Sequence, residues 1–172
     1  ALPIWVPAVR EETARLLIDI TDQPGHSEHP FANNLLFPRK ITSLVIESAV
    51  MGTAFTIIEG DAQSGKSSCL REISLKTESS DLLAVLILRG SGPGLFQALA
   101  NLFAAEFEWN LTSNDARNWL RRMSNCTEGP SLMLAIDDVE PGSQMATDLE
   151  ELAGIRFGNR PVVVLTTYHA NA

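Results

Sequence analysis

Two cysteines, Cys69 and Cys126, are all that the chain carries in 172 residues. A small secreted scaffold held by disulfides would show more of them at regular spacing, so both are read as free thiols. No apolar run approaches the roughly 18 residues that a membrane-spanning helix needs. Nor is there a basic start followed by an apolar stretch and a small-residue cleavage site, the mark of a secretory signal. We therefore expect no membrane partner and a cytoplasmic location. Positive charge is also scarce, with 13 Lys and Arg against 21 Asp and Glu and a net charge of −8. Proteins that grip nucleic acid through its phosphates usually present a basic face. The only basic knot here is Arg117, Arg121 and Arg122 on one predicted helix, which reads as a solvated face. No nucleic-acid partner is expected for this chain. His26 and His29, in "HSEH", have no nearby cysteine or third ligand and read as a solvated loop rather than a metal site.

What remains is the composition of an ordinary globular domain, 45% hydrophobic and 20% charged, with enough apolar material for a core. The length suits one domain. The chain starts on Ala1 rather than methionine and stops just after a strand-like run, so we expect a domain cut from a longer protein.

Residues 7–20, "PAVREETARLLIDI", carry Val9, Leu16, Leu17 and Ile20 at near-helical spacing, which predicts an amphipathic helix. "TDQPGHSEHPFANN" reads as a loop from its Pro, Gly, Asn and Asp content. Residues 1–30 are accordingly taken as an N-terminal helix and linker, and residues 31–172 as the main domain. "RKITSLVIESAVM" suits a second helix. From there strands and helices alternate: "FTIIEG", "GKSSCLREISLKT", "LLAVLIL", "GLFQALANLFAAEF", "SNDARNWLRRMSN", "SLMLAID", "MATDLEELAGI" and "PVVVLTT". Ser113 or Asn114 is the expected N-cap of the fifth helix. The strands read as apolar on both faces, as when helices cover both sides of a parallel sheet. The expected fold is α/β, a doubly wound and mainly parallel sheet.

One stretch asks for chemistry. "GDAQSGKSS", residues 60–68, joins the first predicted strand to a predicted helix and matches the phosphate-loop pattern GxxxxGK[ST] at Gly60, Gly65, Lys66 and Ser67. The glycines permit tight turns and leave the approach to phosphate open. Backbone N–H groups across Asp61, Ala62, Gln63, Ser64 and on to Ser68 converge into an anion nest backed by the positive end of the helix. Lys66 would reach the β and γ phosphates, and the Ser67 hydroxyl would sit on Mg²⁺. The bland alternative is a glycine-containing turn that matches by accident, and the strand before and helix after weigh against it. The reading is a nucleoside triphosphate site.

A second element is "LMLAIDDVE", which puts Asp137 and Asp138 at the tip of an apolar strand. Ligands of open α/β sheets gather at the carboxyl ends of the strands, so Asp137 is the candidate holder of Mg²⁺ across from Ser67. Asp138 is the candidate to orient or polarise an attacking water. Both could instead be solvated acids capping a loop, and Glu140 reads as surface. A third element is Thr166 with Thr167 at the end of the last strand. Thr166 is named as a possible sensor of phosphate or positioner of water, against plain β-propensity.

These elements together resemble the STAND class of P-loop ATPases, signal-transduction ATPases related to AAA+ proteins. "LFPRK" at 36–40 is similar to the class's F-x-x-R lead-in and would give Arg39 a nucleotide contact. "GDAQSGKSS" is the phosphate loop. "LAIDDVE" and "VLTTYH" resemble its acidic strand and its strand ending in Thr-Thr-Arg. Leu36 stands in place of the lead-in phenylalanine, Lys40 follows where an acid is common, and Tyr168 replaces the arginine. The resemblance implies a core that binds ATP or ADP with Mg²⁺ and is truncated before a helical lid. It further implies sensor and effector domains elsewhere in the longer protein, self-association in the ATP state, and service in signalling or defence.

Other readings compete with this one. An AAA+ motor or loader acting on nucleic acid or protein usually shows Asp-Glu after the acidic strand, where this chain has Asp137-Asp138. A small-molecule phosphotransferase would need an arginine-rich lid that does not follow the third strand. A GTPase would carry Asn-Lys-x-Asp near the last strand, and "TTYHAN" is not that. A non-hydrolysing nucleotide switch also stays open, because aspartate at 138 has a short reach for activating water.

Overall fold

The computed structural model describes residues 2–21, 38–61, 64–158 and 162–169, with only the backbone for Tyr168 and His169. The description opens with two helices, α1 (Trp5–Ile20) and α2 (Lys40–Val50), and β1 (Phe55–Gly60) follows. Alternation then runs through α3 (Lys66–Thr77), β2 (Leu83–Arg89), α4 (Leu95–Phe107), α5 (Ser113–Met123), β3 (Ser131–Asp137), α6 (Gln144–Ala153) and β4 (Val163–His169). The four strands make one sheet in the order β1-β4-β3-β2, and every pairing is parallel. This is the doubly wound α/β sheet that the alternation predicts.

Two apolar layers sandwich the sheet. On one face Phe96, Leu99 and Phe103 of α4, Leu120 of α5 and Met145 and Leu152 of α6 pack on Leu86, Leu132, Leu134 and Val164. On the other, Val45 and Ala49 of α2 and Cys69, Leu70 and Ile73 of α3 pack on Val85, Met133, Ala135 and Leu165. Strands β2 and β3 feed both layers by alternation, so their near-continuous apolar runs follow from two-sided burial. β1 departs from the expectation that every strand is covered on both faces. Ile58 is buried against the α2–α3 layer, but Ile57 is 69% exposed and Phe55 38% exposed. The reason is position: β1 is an edge strand, and no described helix lies over its outer face.

α1 belongs to the same body. Trp5, Val6 and Val9 enter the α4–α5 layer, while Leu16 and Leu17 pack against the α2–α3 layer. The helix therefore wraps the β2 edge. The cap of α5 falls one residue earlier than expected. Thr112 is the N-cap, its hydroxyl accepts from Asp115 N–H, and Asp115 accepts from Thr112 N–H in return. That reciprocal pair favours Thr112 over Ser113 or Asn114. Arg117 of the basic knot is paired with Glu151 of α6 and stacks over the Phe96 ring at 4.4 Å. No helix among the described residues is long and apolar enough to cross a membrane.

Candidate functional site

The loop after β1 opens at the carboxyl edge of the sheet. Gly60 ends the strand, in register with His169 of β4, and Gly65 is the N-cap of α3 at φ +87°, ψ 25°. That left-handed conformation suits glycine. Gly65 brings no side chain to cap this helix start, and the first amides of any helix lack an intrahelical acceptor. α3 thus begins as an anion-binding terminus begins. Ser64 N–H closes a turn onto Asp61 C=O at 3.2 Å. The Lys66 ammonium folds back over the loop and donates to Gly60 C=O at 2.9 Å and Asp61 C=O at 2.7 Å. The loop therefore encloses its own lysine, which is buried despite its charge. Ser67 and Ser68 are half-buried on the first turn of α3. Ala62 and Gln63 lie outside the described residues.

Arg39, just before α2, reaches this loop. Its Nη1 donates to Ser64 C=O at 3.0 Å. A methyl group on Gly65 would collide with both terminal guanidinium nitrogens, so the arginine lies directly on the glycine. Lys40 opens α2 and is exposed. Of the lead-in stretch, Leu36 and Phe37 lie outside the described residues.

Asp137 ends β3, in step with the inward positions Met133 and Ala135 of the α3 layer. One strand, β4, separates β1 from β3, which sets the two strand ends about 10 Å apart. The residue joining them is Thr167, fully buried on β4. Its hydroxyl donates to Asp137 Oδ1 at 2.9 Å and accepts from Asp138 N–H at 2.7 Å. From the other side Gly90 N–H donates to Asp137 C=O at 2.6 Å. A Cβ at Gly90 would strike the Asp138 carbonyl, so only glycine lets the ends of β2 and β3 come this close. Between these clamps Asp138 takes φ +59°, a left-handed conformation that aspartate tolerates better than most residues. Asp138 itself is exposed.

Thr166, the threonine singled out from sequence, stands on the opposite face. It alternates with Val162 and Val164 of the α4–α6 layer and lines a groove with Phe55, Ile57 and Leu149. Its neighbour Thr167 is the one bonded to the acidic tip. Sequence reasoning also passed over Glu72, which is buried on α3 beneath Arg39. In "SSCLREISLK" it reads as a solvated helix position, and only the docking of α2 buries it. His26 and His29 lie outside the described residues.

Chemically, the arrangement offers an anion-binding helix start with a lysine and an arginine beside it. Hard oxygen donors of the kind Mg²⁺ takes are the Ser67 hydroxyl on that same first turn and the Asp137 carboxylate at the end of β3.

No family model matches the chain, and no curated protein matches it. Among solved structures four chains match. One is the ORC2 protein of Aeropyrum pernix in ADPNP-ADP complexes, with a TM-score of 0.49 and 12% sequence identity over 81% of this chain. The present chain covers 44% of that protein, less than half its length.

Proposed function

We propose that this chain is the nucleotide-binding core of an ATPase-type switch. Residues Gly60, Asp61, Ala62, Gln63, Ser64, Gly65, Lys66, Ser67 and Ser68 cradle the phosphates of ATP or ADP. Arg39 adds a contact, and Mg²⁺ is held by Ser67 and Asp137. The observation that carries this reading is the left-handed Gly65 opening α3 directly after a parallel strand, with Lys66 drawn over the loop. A turn that matched the pattern by accident would not need a buried lysine lying across its own carbonyls. On nucleotide binding the Lys66 ammonium exchanges those carbonyls for phosphate oxygens, a stronger charge-assisted partner. When bound, Mg²⁺ supplies charge neutralisation between the phosphates. Asp138, exposed at the strand tip, takes the role of orienting water in this reading. The wider role, a signalling or defence switch in a longer protein with self-association and separate effector domains, rests on the STAND-class resemblance alone.

A second reading, binding without turnover, is favoured by Asp138, whose short side chain sits on a backbone pinned by Thr167 and Gly90. Single-turnover assays with labelled ATP separate the two, since ADP release requires hydrolysis.

Thermal melting tests the site itself. Mg·ATP at about 100 times its dissociation constant stabilises by about 2.7 kcal/mol, a rise in Tm of roughly 5 to 10 °C for a domain of this size. Lys66→Ala should abolish most of that rise. An equal rise in the variant and the parent chain would remove the loop from the binding site.

A further inference from the structure

The buried carboxylate of Glu72 has no part in the site as described, yet it touches the residue that leans on the loop. It lies on the second turn of α3 with its side chain 1% exposed. Its Oε2 accepts from the backbone N–H of Arg39 at 3.1 Å and from the Thr42 hydroxyl at 2.8 Å. Its Oε1 pairs with Lys76 Nζ at 2.8 Å, one turn on along α3. Arg39 and Thr42 are the N-cap and third residue of α2. The carboxylate therefore takes the N-cap N–H as the acid of a capping box does, but it is supplied by a different helix.

We infer that Glu72 is a positioning residue for the phosphate loop, acting through Arg39: by fixing the Arg39 backbone it aims the guanidinium across Gly65 onto Ser64. This rests on the nucleotide reading of the loop and extends it to a residue the motif does not contain. The chain of contacts is short. Glu72 holds Arg39 N–H, Arg39 Nη1 holds Ser64 C=O, and Ser64 precedes the glycine that opens α3. Because Glu72 rides on α3 itself, the helix that presents its amides to phosphate also fixes the cation that lies over them. Lys76 is 44% exposed in its side chain, so it neutralises the carboxylate from the solvent side and leaves the inner contacts to Arg39 and Thr42. An apolar residue of similar volume would fill the space but would leave the Arg39 N–H and the Thr42 hydroxyl without their acceptor.

The test is a double-mutant cycle on nucleotide affinity, read with a fluorescent ATP analogue and Mg²⁺. Glu72→Gln keeps the volume and removes the charge. It should weaken binding about tenfold, the loss of one charge-assisted bond. Arg39→Ala should weaken binding by a similar factor, and adding Glu72→Gln to it should cost nothing more. Equal losses in both backgrounds, or no loss in either, overturn the inference. Should Glu72→Gln fold poorly, Thr42→Val removes one of the carboxylate's partners more gently, and its loss should likewise vanish in the Arg39→Ala background. If the parent chain itself binds no nucleotide, the loop reading fails while the positioning role is still read from the ligand-free protein. Glu72→Gln and Arg39→Ala should then shift the Ser64 and Gly65 amide resonances in the same direction. Resonances that stay in place in Glu72→Gln overturn the positioning role.

Discussion

The two edges of the sheet are finished in opposite ways. At the β2 edge α1 lies along the strand, and the Thr13 hydroxyl donates to Val85 C=O at 2.8 Å and accepts from Ile87 N–H at 3.1 Å. Those are the two bonds that one residue of a further parallel strand would make. Arg10 adds a bond to Ser80 C=O at 2.6 Å just before that strand. At the β1 edge no described strand pairs on the outer side, and Ile57 stands largely in solvent. The loop proposed to hold phosphate hangs from the open edge, not the closed one. A loop on an edge strand has a neighbour in the sheet on one side only, here β4. The α2–α3 junction at Glu72 and Arg39 supplies the remaining restraint.

The sharpest way to break this contrast is at Thr13. Thr13→Val keeps the shape but leaves Val85 C=O and Ile87 N–H buried without their partner. Each such group costs about 1 to 3 kcal/mol, so the variant should lose about 2 to 6 kcal/mol. For a domain of this size that lowers Tm by roughly 4 to 24 °C. Nucleotide affinity should stay unchanged in the folded protein, because the closed edge lies on the far side of the sheet from the loop. A drop in affinity together with intact melting would mean that the two edges are not independent.

Glu72 predicts a smaller effect, visible in acid. Burial tends to raise its pKa, but the bonds from Lys76, Thr42 and the Arg39 N–H outweigh this and hold it below the usual carboxylate value. A folded pKa lower than the unfolded one adds stability that is present above the unfolded value and lost as pH falls through the folded one. The parent chain should therefore lose stability as the pH drops below about 4, the ordinary glutamate range, more steeply than Glu72→Gln. Denaturant melts at a series of pH values read the two slopes, and parallel curves would mean that the carboxylate contributes nothing by its charge.

The sequence spoke clearly where function is local and quietly where it depends on what docks. The passage from β1 to α3 was legible because the glycine pattern sits within a few residues, and Gly65 takes the left-handed conformation that the pattern calls for. The place of Asp137 at the end of β3 was legible because the apolar run stops there. The strand parity of "VVVLTT" was not. A strand buried on both faces shows no alternation, so nothing local distinguishes Thr166 from Thr167, and only the sheet order turns Thr167 toward Asp137. Thr13 and Glu72 were hidden for the same reason: each is a polar position on a helix face until another element covers it. The exposure of β1 was equally unreadable, since "FTIIEG" has the composition of a central strand and only the strand order makes it an edge.

The open edge predicts the smallest change in stability and the most local change in behaviour. Ile57 faces solvent beside Phe55, in a groove shared with Leu149 and Ala153 of α6. Replacing a residue this exposed should alter stability by about 0.5 kcal/mol or less. Yet an unpaired strand flanked by apolar side chains invites pairing with another chain, and a lysine there is one of the ways edges are blunted. Ile57→Lys should therefore leave Tm nearly unchanged while reducing concentration-dependent self-association, as measured by sedimentation velocity. Thr13→Val should do the reverse, lowering Tm without touching self-association of the folded fraction. If Ile57→Lys instead cost as much as Thr13→Val, the outer face of β1 would be packed as tightly as the β2 edge, and the contrast between the two edges would disappear.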